Sequence, residues 1–324
     1  MKRFLFIYGI LLSFFLAGCQ SEDDLNPSGK DVDLFAIQNK TGRFNELAYQ
    51  IYQETGVPIY VNDTIAKVEQ GVDAYGNPRY YYEIFATGYN VASHYATAIA
   101  LSADTNAMVE ATRVMREKVI PNLPQKGVYR PYAFLLVDTL STTTYGWSAT
   151  AGRAPNYRPD YAYKSMFGIT VGKLADILDM SADEKSYWAG MILGTNLAGE
   201  ITNLFPDELE DFYALTDTAT ASFYGAGYYF NTQTGISQPL YHVDPKELGF
   251  LDWKLTGPTR SNAMQLLYKN TPTKEVDVTM YIAAVYAYTE AEFRAKYGSY
   301  HKCVDKYLVM KSILFDFKNK YDIK

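Results

Sequence analysis

The sequence predicts an α+β fold, with a small sheet in a mixed N-terminal half and a mainly helical C-terminal half. Two observations carry this. Up to about residue 180, β-rich aromatic and apolar runs alternate with helical stripes; from Ala182 onward, helical periodicity dominates. No segment repeats.

At the N-terminus, Lys2 and Arg3 precede an apolar run from Phe4 to Phe15, broken only by Gly9 and Ser13. The run is shorter than the ~20 residues a spanning helix needs. Leu16-Ala17-Gly18-Cys19 then supplies small residues followed by cysteine. Residues 1–18 are therefore expected to be a signal peptide. Leu16 to Cys19 resembles the bacterial lipobox, which would make Cys19 the first mature residue, lipidated on its sulfur and its amino group. Several acyl chains anchor firmly where one binds only marginally. Residues 19–32 read as an acidic, flexible tether. Gln20-Ser21-Glu22-Asp23-Asp24 within it resembles the surface-export signal of lipoproteins from Bacteroidetes-type bacteria. Folded structure is expected from residue 33.

Two halves follow, 33–180 and 181–324, together about 290 of the 324 residues and enough for a sizeable core. In the first, Phe44, Leu47, Ala48 and Ile51 have helical spacing, and Gly56-Val57-Pro58 stops that helix. Pro58 to Val61 and Tyr80 to Thr87 read as strands, the second following the turn at Tyr75-Gly76-Asn77-Pro78. Met108, Ala111, Met115 and Val119 form a helical stripe that ends at Pro121. Tyr132 to Val137 is a continuous apolar run, expected to be a buried strand. Thr142 to Arg158 reads as a Ser/Thr/Gly/Pro-rich loop, and Phe167 to Val171 as a short edge strand. In the second half, Ser181 and Glu184 form a capping box for a helix to about Leu204. Phe223 to Tyr241 reads as a Gly- and Tyr-rich loop and Val276 to Tyr288 as an apolar helix. A last helix carries Tyr307, Met310, Leu314 and Phe317.

Composition narrows the functional classes. Thirty Lys and Arg against 36 Asp and Glu give a net charge of −6, which argues against a nucleic-acid partner. Lipidation would consume Cys19 and leave Cys303 alone, so no intramolecular disulfide is expected and Cys303 should pack as a small hydrophobe. The 30 tyrosines could supply sugar-stacking faces or serve as half-buried packing with wet hydroxyls. No G-x-S-x-G elbow, phosphate loop or dinucleotide fingerprint is present. The adjacent acids Asp207 and Glu208 read as surface charges at a helix start.

The order of segments resembles zinc metallohydrolase lipoproteins associated with nutrient-import systems of Bacteroidetes-type bacteria. Arg116-Glu117-Lys118-Val119-Ile120-Pro121 followed by Phe134-Leu135-Leu136-Val137 resembles that family's helix and strand before the active site. Phe205-Pro206-Asp207-Glu208-Leu209 is similar to the segment after its zinc helix. Gly249-Phe250 and the helix from Val276, ending in Tyr321-Asp322-Ile323, resemble its C-terminal region. The resemblance implies a zincin-like fold. It also implies a TonB-dependent transporter and its substrate-binding lipoprotein as partners, and a peptide or glycan as ligand.

A zincin helix carries H-E-x-x-H, two histidines on one helical face with a glutamate that polarises the zinc-bound water. Here Thr195 and Gly199 stand at the histidine positions, and Asn196 stands at the glutamate position. In the later helix, Val276-Asp277-Val278-Thr279-Met280 aligns with an E-D-F-A-E pattern, placing Met280 at its final acid. Glycine has no ligand atom, and asparagine is no general base. The histidines His94, His242 and His301 are not spaced four apart, and a distributed site at His242, Asp244 and Glu247 is the weaker reading. The expectation is therefore a degenerate site without catalytic residues, metal or cofactor. Thr195, Gly199 and Met280 should converge, with a neighbouring backbone or ring filling the space at Gly199. Two functions stay open: an accessory or binding protein in nutrient acquisition, lipid-anchored at the outer-membrane surface, or an active zinc-dependent hydrolase with a relocated site. Asp63-Thr64-Ile65, Asp138-Thr139-Leu140 and Asp217-Thr218-Ala219 each resemble a three-residue O-glycosylation signal of exported proteins.

Overall fold

The computed structural model describes residues 33–87, 95–124, 129–146, 154–258 and 266–321. Cys19, the tether and His94 lie outside them, as do Asp322 and Ile323. Phe35–Lys324 forms one compact unit of α+β architecture.

Helix α1 (Arg43–Thr55) ends on Gly56, whose left-handed backbone lets its N–H reach the Tyr52 carbonyl. The chain enters β1 (Ile59–Tyr60) and then a hairpin, β2 (Thr64–Val72) and β3 (Pro78–Ile84). β2 was not legible in the sequence, because its side chains are mostly exposed or half-buried and lack a sustained apolar alternation. After β4 (Tyr95–Ala100), helix α2 (Thr105–Val114) is capped by Asp104, which accepts from the Asn106 and Ala107 N–H groups. A π turn at Met115–Val119 and a 3₁₀ turn at Ile120–Asn122 close it at Pro121.

Next come β5 (Phe134–Leu136), β6 (Thr139–Gly146), β7 (Ala154–Pro159), β8 (Ala162–Ser165) and β9 (Gly168–Val171). The central sheet has the order β1-β5-β9-β8, parallel except at β8. Two expectations are corrected here. The Thr142–Arg158 stretch is not simply a loop: β6 pairs antiparallel with both β4 and β7, threonine-rich runs being well suited to a pleated surface. β9 is not an edge strand: it lies between β5 and β8 with all four residues buried, and β8 takes the edge.

The sheet alternates its residues between two cores. Phe134, Leu136, Ile169 and Val171 pack against α1 and α2. Ala133, Leu135 and Val137 face the other way, onto Phe85, Leu140 and the half-buried Phe35 and Phe167.

Helix α3 (Ala182–Leu204) starts at the predicted capping box: Ser181 Oγ accepts from the Glu184 N–H, and Glu184 accepts from the Ser181 N–H. α4 (Pro206–Ala214) carries Asp207 and Glu208 in its first turn. Part of Phe223–Tyr241 is also strand, contrary to the loop reading. β10 (Gly227–Asn231) joins β11 (Leu255–Pro258) and β12 (Leu266–Asn270) in an antiparallel sheet of order β10-β12-β11. Helices α5 (Lys274–Ala287), α6 (Glu290–Tyr297) and α7 (His301–Tyr321) complete the chain. Tyr307, Met310, Leu314 and Phe317 are buried together, as their spacing predicts. Cys303 is fully buried, its thiol directed at the Lys246 carbonyl oxygen at 3.4 Å.

α3 and α5 approach at backbone distance. A Cβ on Gly190 would lie 2.3 Å from the Ala283 carbonyl oxygen, and one on Gly194 would lie 2.5 Å from that of Thr279. The four-residue spacing of these glycines puts both on one helical face.

Candidate functional site

The residues aligned with zinc ligands lie on α3 and α5 near this contact. Gly194 and Thr279, immediately before Thr195 and Met280 in sequence, touch. Thr195 and Met280 are half-buried. Gly199 does not accommodate a neighbour as expected: it is exposed, and no atom lies within 4 Å of where its Cβ would stand. Asn196 is buried and structurally engaged. Its Nδ2 donates to the Tyr129 carbonyl oxygen at 2.9 Å, and its own carbonyl accepts from Lys164 Nζ on β8 at 2.9 Å. Asn196 Oδ1 is buried without a partner among the described residues.

This donor set does not fit zinc. One side-chain amide committed to a backbone carbonyl, one hydroxyl, one thioether and one absent side chain fall short of three nitrogen, oxygen or sulfur ligands of the usual kind. Among the described residues, no group of three or more His, Cys, Asp or Glu side chains is placed to hold a metal ion. His242 packs edge-on to Phe230 and Tyr241. Asp244 is bound by Lys246 at 3.1 Å and by the Tyr300 hydroxyl at 2.9 Å.

A cavity of about 460 Å³ opens elsewhere, at the N-terminal end of α3. Tyr187 enters it from the second turn of α3. Tyr161 enters from the approach to β8, and Tyr288 and Tyr297 from the end of α5 and from α6. Tyr187 and Tyr288 are stacked with ring centroids 6.4 Å apart, and Tyr161 stands edge-on to Tyr187 at 6.1 Å. The walls come from the loop after β9 (Lys173, Asp176, Asp179 and Met180), from Glu184, and from Asp252 and Lys296.

Hydrogen bonds fix this frame. Trp188, fully buried one residue after Tyr187, donates Nε1 to the Gly172 carbonyl at 3.0 Å. The Gly172 N–H donates to the Tyr161 carbonyl at 2.8 Å. Lys173 adopts a left-handed backbone, φ 67°, the only non-glycine residue to do so among those described. Its Nζ lies over the Tyr161 ring, 4.7 Å from the centroid, and that of Lys296 lies 5.0 Å over Tyr288.

Three of the phenols, Tyr161, Tyr187 and Tyr297, are pushed toward their protonated forms. Burial, then the Asp252 and Glu184 charges, pushes the Tyr161 hydroxyl up; burial, then the neighbouring Tyr161 and Tyr297, pushes up Tyr187. Burial likewise raises Tyr297. The lining therefore offers phenolic donors, four carboxylates and two ammonium groups around aromatic faces, with a negative balance.

No family model, curated protein or solved structure matches the chain.

The cavity lies apart from Thr195, Asn196, Gly199 and Met280, the positions singled out by the sequence, and none of its lining residues was among them. Tyr187 sits within an apolar helical stripe, and its partners lie far off in sequence at Tyr161, Tyr288 and Tyr297. The only local signal was general, the abundance of tyrosine.

Proposed function

We propose that the protein is a lipid-anchored outer-surface binding protein that holds a glycan unit in the tyrosine-lined cavity for import, and that it is not an enzyme. The observation that carries this reading is the cavity itself. Its stacked Tyr187–Tyr288 pair and the edge-on Tyr161 line it with aromatic rings beside carboxylate acceptors and phenolic donors. Ring faces suit the C–H surface of a sugar, and paired donors and acceptors suit its hydroxyls. The volume of about 460 Å³ lies within the range of small-ligand sites. Four carboxylates against two lysines favour a neutral or amino sugar over an acidic one.

The same proposal makes the fold zincin-like with its metal site lost. The α+β layout and the central position of α3 support this, as does the commitment of Asn196 to Tyr129. Anchoring through Cys19 and partnership with a TonB-dependent transporter are part of the proposal and rest on the sequence resemblance.

The test is calorimetric titration of the purified chain with neutral, amino and acidic oligosaccharides and with peptides. A neutral or amino glycan should bind, and Tyr187→Ala should weaken it about tenfold, the equivalent of ~1.4 kcal/mol for a lost stacking face. Absence of glycan binding, or full affinity in Tyr187→Ala, would overturn the reading.

A further inference from the structure

Away from the cavity, the helical half encloses a fully buried charge pair. Lys306 on α7 and Asp277 on α5 both have no solvent exposure, and Lys306 Nζ is in direct contact with Asp277 Oδ2. Lys306 Nζ also reaches Thr216 Oγ1 at 2.9 Å and the Tyr224 hydroxyl oxygen at 3.1 Å. The Tyr224 hydroxyl donates to Asp277 Oδ2 at 2.9 Å. Aromatic rings enclose the amine, with the centroids of Phe212, Tyr281 and Phe250 at 4.3, 5.0 and 5.2 Å from Nζ. Asp277 Oδ1 is buried with no hydrogen-bond partner among the described residues.

A carboxylate with one oxygen unpaired in an aromatic enclosure is a costly way to bury charge. Removing both charges relieves that cost. Burial works in this direction on each partner, lowering Lys306 and raising Asp277 toward their neutral forms. In their neutral forms, an amine and a carboxylic acid held together, with a hydroxyl touching both, are the reactants of amide formation.

We propose that Lys306 and Asp277 are joined by an intramolecular isopeptide bond that cross-links α5 to α7. The Lys306 Nζ lone pair attacks Asp277 Cγ, forming the Nζ–Cγ bond. The Tyr224 hydroxyl receives a proton from Nζ and delivers its own to Oδ2, which already carries the proton of the carboxylic acid, so Tyr224 is regenerated. The Cγ–Oδ2 bond breaks with its electron pair and Oδ2 leaves as water. Oδ1 remains as the amide carbonyl, and the remaining Nζ–H donates to Thr216 Oγ1. No oxidant or co-reactant is consumed.

The test is mass spectrometry of the purified full-length chain after denaturation and chymotryptic digestion. The expected product is a branched peptide joining the Asp277 segment to the Lys306 segment, lighter by one water than the two together. Lys306→Met should abolish it. Tyr224→Phe, which keeps the ring packing, should lower the linked fraction several-fold if the hydroxyl relays the proton; an unchanged fraction would remove Tyr224 from the mechanism. Should Lys306→Met fail to fold, the unaltered protein decides alone: recovery of both segments only as separate peptides refutes the bond.

Discussion

Gly190 stands so close to Ala283 that any side chain on it would collide with the Ala283 carbonyl, 2.3 Å from the position of a Cβ. Alanine at Gly190 or Gly194 gains helix propensity, about 1 kcal/mol, but must push α3 and α5 apart. Overpacking of this kind typically costs ~1–3 kcal/mol, and more where the obstacle is backbone. Gly190→Ala and Gly194→Ala should therefore lower the midpoint of chemical denaturation. Gly199→Ala, facing open space, should raise stability by about 1 kcal/mol. Equal effects at the three positions would contradict the packing described.

Glu110 gives a pH signature. The Arg113 guanidinium, then the Lys185 ammonium, holds its carboxyl down at about 2, against an ordinary value of 4.5. A depressed carboxyl contributes stability that is fully present above the unfolded value and is lost as pH falls through the folded one. Glu110→Gln should cost about 1 kcal/mol at neutral pH, modest because Arg113 is half exposed. The difference from the unaltered protein should shrink between about pH 4.5 and pH 2, as followed by urea denaturation across that range.

Cys19→Ser removes the only proposed lipid attachment. The variant should appear in the soluble fraction after cell disruption. Retention on membranes through a high-salt wash would rule out lipid anchoring.

Thr64, Thr139 and Thr218, the acceptors of the three O-glycosylation-like triplets, are all exposed. Native-host protein should carry sugar on at least one, seen as added mass on the corresponding peptide. Bare peptides at all three sites would end the proposal.

What the sequence disclosed and what it hid follow from the range of the interactions. The capping box at Ser181 and the buried stripe at Tyr307, Met310, Leu314 and Phe317 are local patterns, readable within one helix. Cys303 declared itself as a packed thiol by elimination. By contrast, β6 takes one of its partners from β4, well before it in the chain, and β2, although it sits in a local hairpin, is mostly exposed or half-buried and shows no sustained apolar alternation. β9 looked like an edge because it is short, although burial on both faces marks it as interior. Among the glycines, Gly199 aligns with a ligand position but faces space, while Gly190 and Gly194, four apart on α3, carry the backbone contact with α5 and match no motif in the sequence. The tyrosine cavity gathers residues more than a hundred positions apart, beyond the reach of any local pattern.

Helix α3 belongs to two cores at once: Trp188, Ala189, Ile192 and Leu193 pack with the sheet, while Leu197, Ala198 and Ile201 pack with the C-terminal helices. Neither half can melt without stripping one end of the same rod, so heat should dissolve both in one step. The cavity draws on both sides of that shared rod, with Tyr161 and Asp176 from one and Tyr288 and Tyr297 from the other. Anything that settles there is thus wagered on the integrity of the whole chain. At a hundredfold excess over its dissociation constant it would add about 2.7 kcal/mol to the native state. A glycan library can therefore be screened by melting temperature alone.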